Sequence, residues 1–231
     1  MKQFLSECVK SICHVLFPPL CLTCGENLKP GFCLFCESCV QALDLLEAEG
    51  RCARCFCEKE EHASCTTCRN LPLKLRQQAV CFEESPVSAQ LLSLVRHGIA
   101  VSAAASYITV QLYKLHWPLP DLIVPTPGDW FDGENGWNSR KALSKELSRI
   151  LHRPYANCIH LHRHLLPLRH QCLEAQPTFT EALRSSQEAT NKVVLLIHDR
   201  LSNGRAIALA AQSLQEAGVH SVYAISLVQN L

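Results

Sequence analysis

The sequence predicts an α/β domain with a mostly parallel sheet, preceded by a small Cys-rich zinc-binding module. Three observations predict it. Of the 15 Cys in 231 residues, 12 precede Gln77, and eight of those stand in four C-x-x-C pairs. From Gln77 onward, short aliphatic runs alternate with amphipathic stretches of helical length, which is the pattern of βαβ units. The chain carries 22 Lys+Arg against 21 Asp+Glu and is 48% hydrophobic. That supplies a core, argues against wholesale disorder, and excludes a surface that traps polyanions everywhere.

Three parts follow in order: a helix over residues 1–20, the Cys module over 21–76, and the α/β domain over 77–231. Leu5, Cys8, Val9, Ile12 and Leu16 recur at helical spacing and stop at Pro18 and Pro19, which reads as a docking helix for the domain behind it. The stretch fails as an export signal because Glu7, Lys10 and His14 interrupt its apolar run. No uninterrupted apolar run reaches the roughly 18 residues a membrane span needs. The expectation is therefore a cytoplasmic protein without a membrane span, whose reduced thiols bind metal instead of forming disulfides.

The four pairs are Cys21/Cys24, Cys36/Cys39, Cys52/Cys55 and Cys65/Cys68, with 11, 12 and 9 residues between successive pairs. Two such pairs satisfy one tetrahedral Zn²⁺, because each presents two thiolates to one side of the ion. Metal binding would then supply most of the folding free energy of a segment poor in large apolar residues. Consecutive pairing closes the shorter loops and is favoured; a cross-brace joining first to third and second to fourth is the alternative. Cys33 and Cys57 stand close enough to displace a neighbour, and Gly25 suits the tight turn of a knuckle. Cys8, Cys13, Cys81, Cys158 and Cys172 read as small buried hydrophobes or spare thiols. One further helix is expected inside the module, over residues 38–48.

In the α/β part, residues 79–82 read as a strand, 87–96 and 101–114 as helices, and 121–125 as a short strand entering a Pro/Gly loop. A helix over 138–151 is marked by Ala142, Leu143, Leu147, Ile150 and Leu151. The most strand-like run is residues 192–197, followed by a polar turn, a helix over 205–217 ended by Gly218, and a last strand over 221–228. No internal repeat beyond the Cys pairs is evident. The turn His198-Asp199-Arg200-Leu201-Ser202-Asn203-Gly204-Arg205 between strand and helix suits an anion: helix-start N–H groups and dipole favour negative charge, and Ser202 and Asn203 add donors. The same residues also suit a plain N-capped helix after a buried strand.

Several segments in fixed order resemble the ComF/GntX family: Leu16-Phe17-Pro18-Pro19, the Cys module, the strand end Val124-Pro125-Thr126-Pro127, the turn Gly136-Trp137-Asn138, and the C-terminal strand–loop–helix. The family is similar to type I phosphoribosyltransferases carrying an N-terminal zinc finger. The resemblance implies a Rossmann-like phosphoribosyltransferase domain whose 198–205 turn binds phosphoribosyl pyrophosphate (PRPP). Asp199 would be the catalytic carboxylate on the ribose hydroxyls, and His198, Ser202, Asn203, Gly204 and Arg205 would complete the PRPP and phosphate site. It also implies Mg²⁺ accompanying PRPP, transfer of the phosphoribosyl group with loss of pyrophosphate, and a role in DNA uptake and natural transformation. Single-stranded DNA or DNA-uptake proteins would then be partners.

Two departures support an alternative of a different class, a non-catalytic adaptor that contacts DNA or protein. His198 stands where the family has a carboxylate, and a neutral imidazole cannot hold a ribose diol and Mg²⁺ as a carboxylate does. The loop after Pro127, residues 128–134, is acidic and aromatic where the family is Arg-rich. Arg140, Lys141, Lys145, Arg149, His152, Arg153, Arg163 and Arg169 make the middle of the chain basic, which reads first as a solvated face and second as a nucleic-acid surface. His160, His162 and His164 alternate as on one side of a strand and read as unliganded. No Ser-His-Asp set, P-loop or G-x-G-x-x-G fingerprint occurs, so hydrolase, NTPase and dinucleotide readings have no support.

Overall fold

The computed structural model describes residues 18–29, 34–59, 65–70, 74–127, 138–161, 183–185, 189–202 and 204–229. The helix expected over 1–20 lies outside them apart from residues 18–20, as do Cys33, Asn203, His162, His164 and the 128–134 loop.

In the Cys module, helix α1 spans Glu37–Gln41 and helix α2 spans Thr66–Asn70. The sequence expected a helix on to residue 48, but α1 ends at Gln41. The Leu46 N–H instead donates to the Cys81 carbonyl at 2.9 Å, so pairing with the next domain overrides helical periodicity here.

The module is a tandem repeat that sequence reading missed. In its first half the antiparallel bridge Leu20–Asn27 closes a turn in which the Cys21 N–H donates to Glu26 O and the Gly25 N–H to Cys21 O. In the second half the bridge Arg51–Glu58 closes the same turn, with Cys52 N–H on Cys57 O and Phe56 N–H on Cys52 O. A short helix follows each turn. Gly25 and Phe56 occupy the equivalent left-handed position, at φ of 74° and 63°. Only Gly takes that conformation without a Cβ penalty, so the second half departs from the residue type the turn prefers. Phe56 is buried and its ring stacks under the Arg51 guanidinium at 5.5 Å.

The α/β domain contains β1 (Gln77–Glu83), α3 (Pro86–Arg96), α4 (Val101–Lys114), β2 (Leu122–Pro125), α5 (Ser139–Leu151), β3 (Ile159–Leu161), β4 (Leu183–Ser185), β5 (Val193–Leu201), α6 (Arg205–Glu216) and β6 (Ser221–Gln229). Four strands form a sheet in the order β1-β6-β5-β2 with every neighbouring pair parallel, while β3 and β4 make a separate antiparallel pair. Residues 194–199 of β5 and 224–229 of β6 are buried without alternation, as in a parallel sheet covered on both faces. Helices start where their signals stand. Ser85 makes a reciprocal capping box with Ser88 ahead of Pro86, and the Asn138 side chain accepts from the Lys141 N–H at 2.9 Å.

Both edges of the sheet are covered. At β1 the Gln78 N–H donates to Arg54 O at 2.8 Å, the Gln78 side chain donates to Cys55 O at 3.2 Å, and Arg51 pairs with Glu83 at 2.6 Å. Gln111 of α4 reaches across to Leu46 O at 2.8 Å. At β2, Ile123 bridges Tyr155 beyond the end of α5. An edge strand that would otherwise offer unpaired N–H and C=O groups is thus paired with the Cys module on one side.

Candidate functional site

Strand β5 runs four residues beyond the expected 192–197 segment because β6 keeps pairing with it to Leu201–Gln229. Its other neighbour stops sooner, since β2 pairs only as far as Pro125–Ile197. His198 and Asp199 therefore sit in the strand, not in the turn, at its carboxyl end and past the end of β2. Ligands of open parallel sheets bind at such ends.

Successive strand residues leave opposite faces, so His198 and Asp199 point apart. The His198 Nδ1 lies 2.7 Å from Thr126 Oγ1, whose hydroxyl also approaches Ile197 O at 3.1 Å. Asp199 meets α3 and α5. Its Oδ1 accepts from Arg140 Nε at 2.9 Å and from the Arg200 N–H at 3.0 Å; its Oδ2 accepts from Ser139 Oγ at 3.0 Å and Arg96 Nε at 3.1 Å. Arg140 also donates to Pro127 O. Arg140 and Asp199 have side chains only 3% exposed, whereas Arg96 is 45% exposed. Burial alone would raise the Asp199 pKa. The Arg140 guanidinium foremost, with His198 and Arg96, outweighs burial and holds the carboxyl well below the usual carboxylate range. Arg200 pairs outward with Glu84 at 2.8 Å.

Beyond β5, Ser202 and Arg205 are exposed and Gly204 turns the chain into α6 at φ 69°. Asn203 lies outside the described residues. Of the expected site, then, His198 and Asp199 share the strand end, and Ser202, Gly204 and Arg205 follow within one turn. Thr126, Ser139, Arg140 and Arg96 were not expected as partners. Arg140 carried a signal: it stands three, seven and eleven residues before Leu143, Leu147 and Leu151, the buried stripe of α5, so it lies on the inward face and not on the solvated one.

The Cys module brings two sets of four thiols together. Cys21, Cys24, Cys36 and Cys39 form one and Cys52, Cys55, Cys65 and Cys68 the other, all sulfurs in a set lying within 4.8 Å of one another. Sulfur separations include 3.6 Å for Cys24–Cys36, 3.3 Å for Cys55–Cys65 and 3.8 Å for Cys52–Cys68. Four sulfurs about 2.3 Å from a tetrahedral Zn²⁺ stand about 3.8 Å apart, so the sets fit that ion. The grouping is consecutive and not cross-braced, and Cys57 is outside it. Burial works to raise the Cys21 and Cys52 thiols, but hydrogen bonds outweigh it and pull them to about 6 and about 7, chiefly from the backbone of Cys24, Cys36 and Thr23 at Cys21 and of Cys55 and Arg54 at Cys52.

The chain is thus an α/β protein with a parallel sheet and two Cys₄ clusters able to hold zinc. No protein-family model and no curated protein matches its sequence. Among solved structures, glutamine PRPP amidotransferase from B. subtilis, complexed with ADP and GMP, overlaps 60% of this chain and 26% of its own at 14% identity and TM-score 0.37. Phosphoribosylpyrophosphate synthetase from Mycobacterium smegmatis overlaps 56% and 33% at 19% identity and TM-score 0.35. HGPRT-ase from Leishmania tarentolae with GMP overlaps 62% and 68% at 13% identity and TM-score 0.31. The overlap spans about a quarter and a third of the first two proteins' own lengths. Among the described residues no helix is long and apolar enough to cross a membrane.

Proposed function

We propose that this chain is a phosphoribosyltransferase-like protein that binds PRPP or a related phosphorylated ribose ligand at residues 198–205. The observation that carries the reading is the cluster on Asp199, at the carboxyl end of β5 and just ahead of the start of α6. Two guanidiniums, Arg96 and Arg140, against one carboxylate leave a net positive charge there. A phosphate suits both that charge and the N–H groups at the start of α6. In this arrangement Ser202, Asn203, Gly204 and Arg205 take the 5′-phosphate, and the ribose lies toward His198 and Asp199. On the resemblance to ComF, the protein would act in the cytoplasm in DNA uptake, with single-stranded DNA or uptake proteins as partners.

One observation favours the second reading, a non-catalytic adaptor for DNA or protein: the lone carboxylate of residues 198–205 is already engaged by Arg140, Arg96, Ser139 and its own chain. Calorimetric titration of the zinc-loaded chain with PRPP, repeated on Ser202→Ala/Arg205→Ala, separates the two. Saturable binding weakened about tenfold or more in the double variant supports the ligand site, since charge-assisted phosphate contacts are worth that much. No binding of PRPP or ribose 5-phosphate, together with salt-sensitive retention of single-stranded DNA in a gel shift, would replace it with the adaptor.

A further inference from the structure

Resting on that proposed site, the bonding of Asp199 bears on what its ligand is. A carboxylate offers about four acceptor directions, and Asp199 has four donors on its two oxygens: Arg140 Nε and the Arg200 N–H on Oδ1, Arg96 Nε and Ser139 Oγ on Oδ2. Arg96 Nη2 lies a further 3.1 Å from Oδ2. To hold a ribose diol or a Mg²⁺ ion, Asp199, itself only 3% exposed, would have to give up a donor: either Arg140, buried with it, or Arg96, the half-exposed cation of the site. Uncoupling a buried pair leaves an uncompensated charge, which is strongly unfavourable. The neighbouring position cannot compensate, because His198 offers an imidazole, a poor ligand for Mg²⁺. His198 also points to the other face of the strand, toward Thr126.

Arg96 differs from Arg140. It sits in the last residue of α3 and is 45% exposed, and it spends its Nε and Nη2 on Asp199 Oδ2. A guanidinium has five N–H groups in a fixed fork, so fixing one side of the fork sets the direction of the rest. The carboxylate thereby immobilises a half-exposed cation at the end of β5, and the side-chain entropy of ordering that arginine is already spent before a ligand arrives.

We infer that the site takes a phosphate monoester of ribose without Mg²⁺, with Arg96 joining the 202–205 turn as a further cation on the phosphate and Asp199 as a positioning residue that acts through Arg96. Ligands whose charge must be neutralised by Mg²⁺, pyrophosphate esters among them, are the disfavoured class. The chemistry is that of ribose 5-phosphate and nucleoside 5′-monophosphates.

The test is calorimetric titration of the zinc-loaded chain with ribose 5-phosphate, in Mg²⁺-free buffer and again with millimolar Mg²⁺. Mg²⁺ is removed by dialysis and not by a chelator, so that zinc is kept. The expected dissociation constants agree within about twofold, while Arg96→Ala weakens binding roughly ten- to a hundredfold, the worth of a charged hydrogen bond. Asp199→Asn weakens binding in the wild-type background and adds nothing further in Arg96→Ala, the non-additivity of a residue that acts through another. Thermal melts establish that each variant is folded, and the Mg²⁺ comparison on the unaltered chain stands without them. Binding that requires Mg²⁺ and is indifferent to Arg96→Ala would overturn the inference and leave the ligand site standing. No binding of ribose 5-phosphate or PRPP under either condition would remove both.

Discussion

The Cys module and the end of β5 each gather polar groups to one point, by opposite means. In the module the groups are alike and come from short stretches; Cys55 and Cys65 are 10 residues apart in the chain, and Cys24 and Cys36 are 12. The sulfurs of each set lie close enough to ligate one cation. At β5 the groups differ, arrive from α3, α5 and β5, and satisfy one another: Arg96 and Asp199 are 103 residues apart, Arg140 and Asp199 59. The first arrangement is a set of like groups able to hold a metal, whereas the second is satisfied by its own partners.

The largest expected effect comes from metal. Removing zinc with a strong chelator, or replacing Cys52 and Cys55 with Ser, should remove a contribution on the order of 10 kcal/mol from the module. Because Arg54 O and Cys55 O hold Gln78, the loss should spread to β1. Hydrogen exchange of the Gln78 amide reports it, with faster exchange after Cys52→Ser than after Cys21→Ser. Equal exchange in the two would show that the halves of the repeat are not distinguished by their contact with the sheet.

Next is Arg140→Ala, which strands Asp199 in a buried position and should destabilise the fold by about 3–5 kcal/mol in urea denaturation. The sign of the pH dependence follows from Asp199. Its folded pKa is depressed, so its stabilisation is full above the unfolded value of about 4 and is lost as pH falls toward the folded one. The stability gap between wild type and Asp199→Asn should therefore shrink below about pH 4; a gap that grows on acidification would contradict the pairing.

Smaller effects separate the two knuckles. Gly25→Ala meets no atom within 4 Å and pays only for its left-handed backbone, about 1–2 kcal/mol by chemical denaturation. Cys57→Ser should leave metal content unchanged, since Cys57 lies outside the four-sulfur set. Metal analysis that finds less zinc in this variant would make Cys57 a ligand.

Legibility in the sequence followed the same division. The Cys knuckles are local, so the C-x-x-C spacing and loop length favoured the consecutive grouping over the cross-brace, and alternation of runs was enough for a parallel α/β sheet. The repeat in the module escaped notice because it lives in backbone hydrogen bonds and a left-handed turn, and Phe56 stands in one half where Gly25 stands in the other. The helix expected to 48 failed because Leu46 bonds to Cys81, a partner that no local pattern reveals. Strand β5 was read four residues short because His198, Asp199 and Arg200 are polar, yet pairing with β6 carries them on. Arg140 could have been placed from its register with Leu143, Leu147 and Leu151; Arg96 could not, since its link to Asp199 spans the fold.

The central claim is that a phosphorylated ribose ligand sits at the end of β5 and the start of α6. Backbone amide resonances of Ser202, Gly204 and Arg205, followed in ¹H–¹⁵N spectra during a ribose 5-phosphate titration, test it most directly. The account predicts that these amides shift together and saturate with the Arg96 side-chain Nε signal. Shifts confined to the basic face of α5 around Lys141 and Lys145, with the 202–205 amides unmoved, would contradict it.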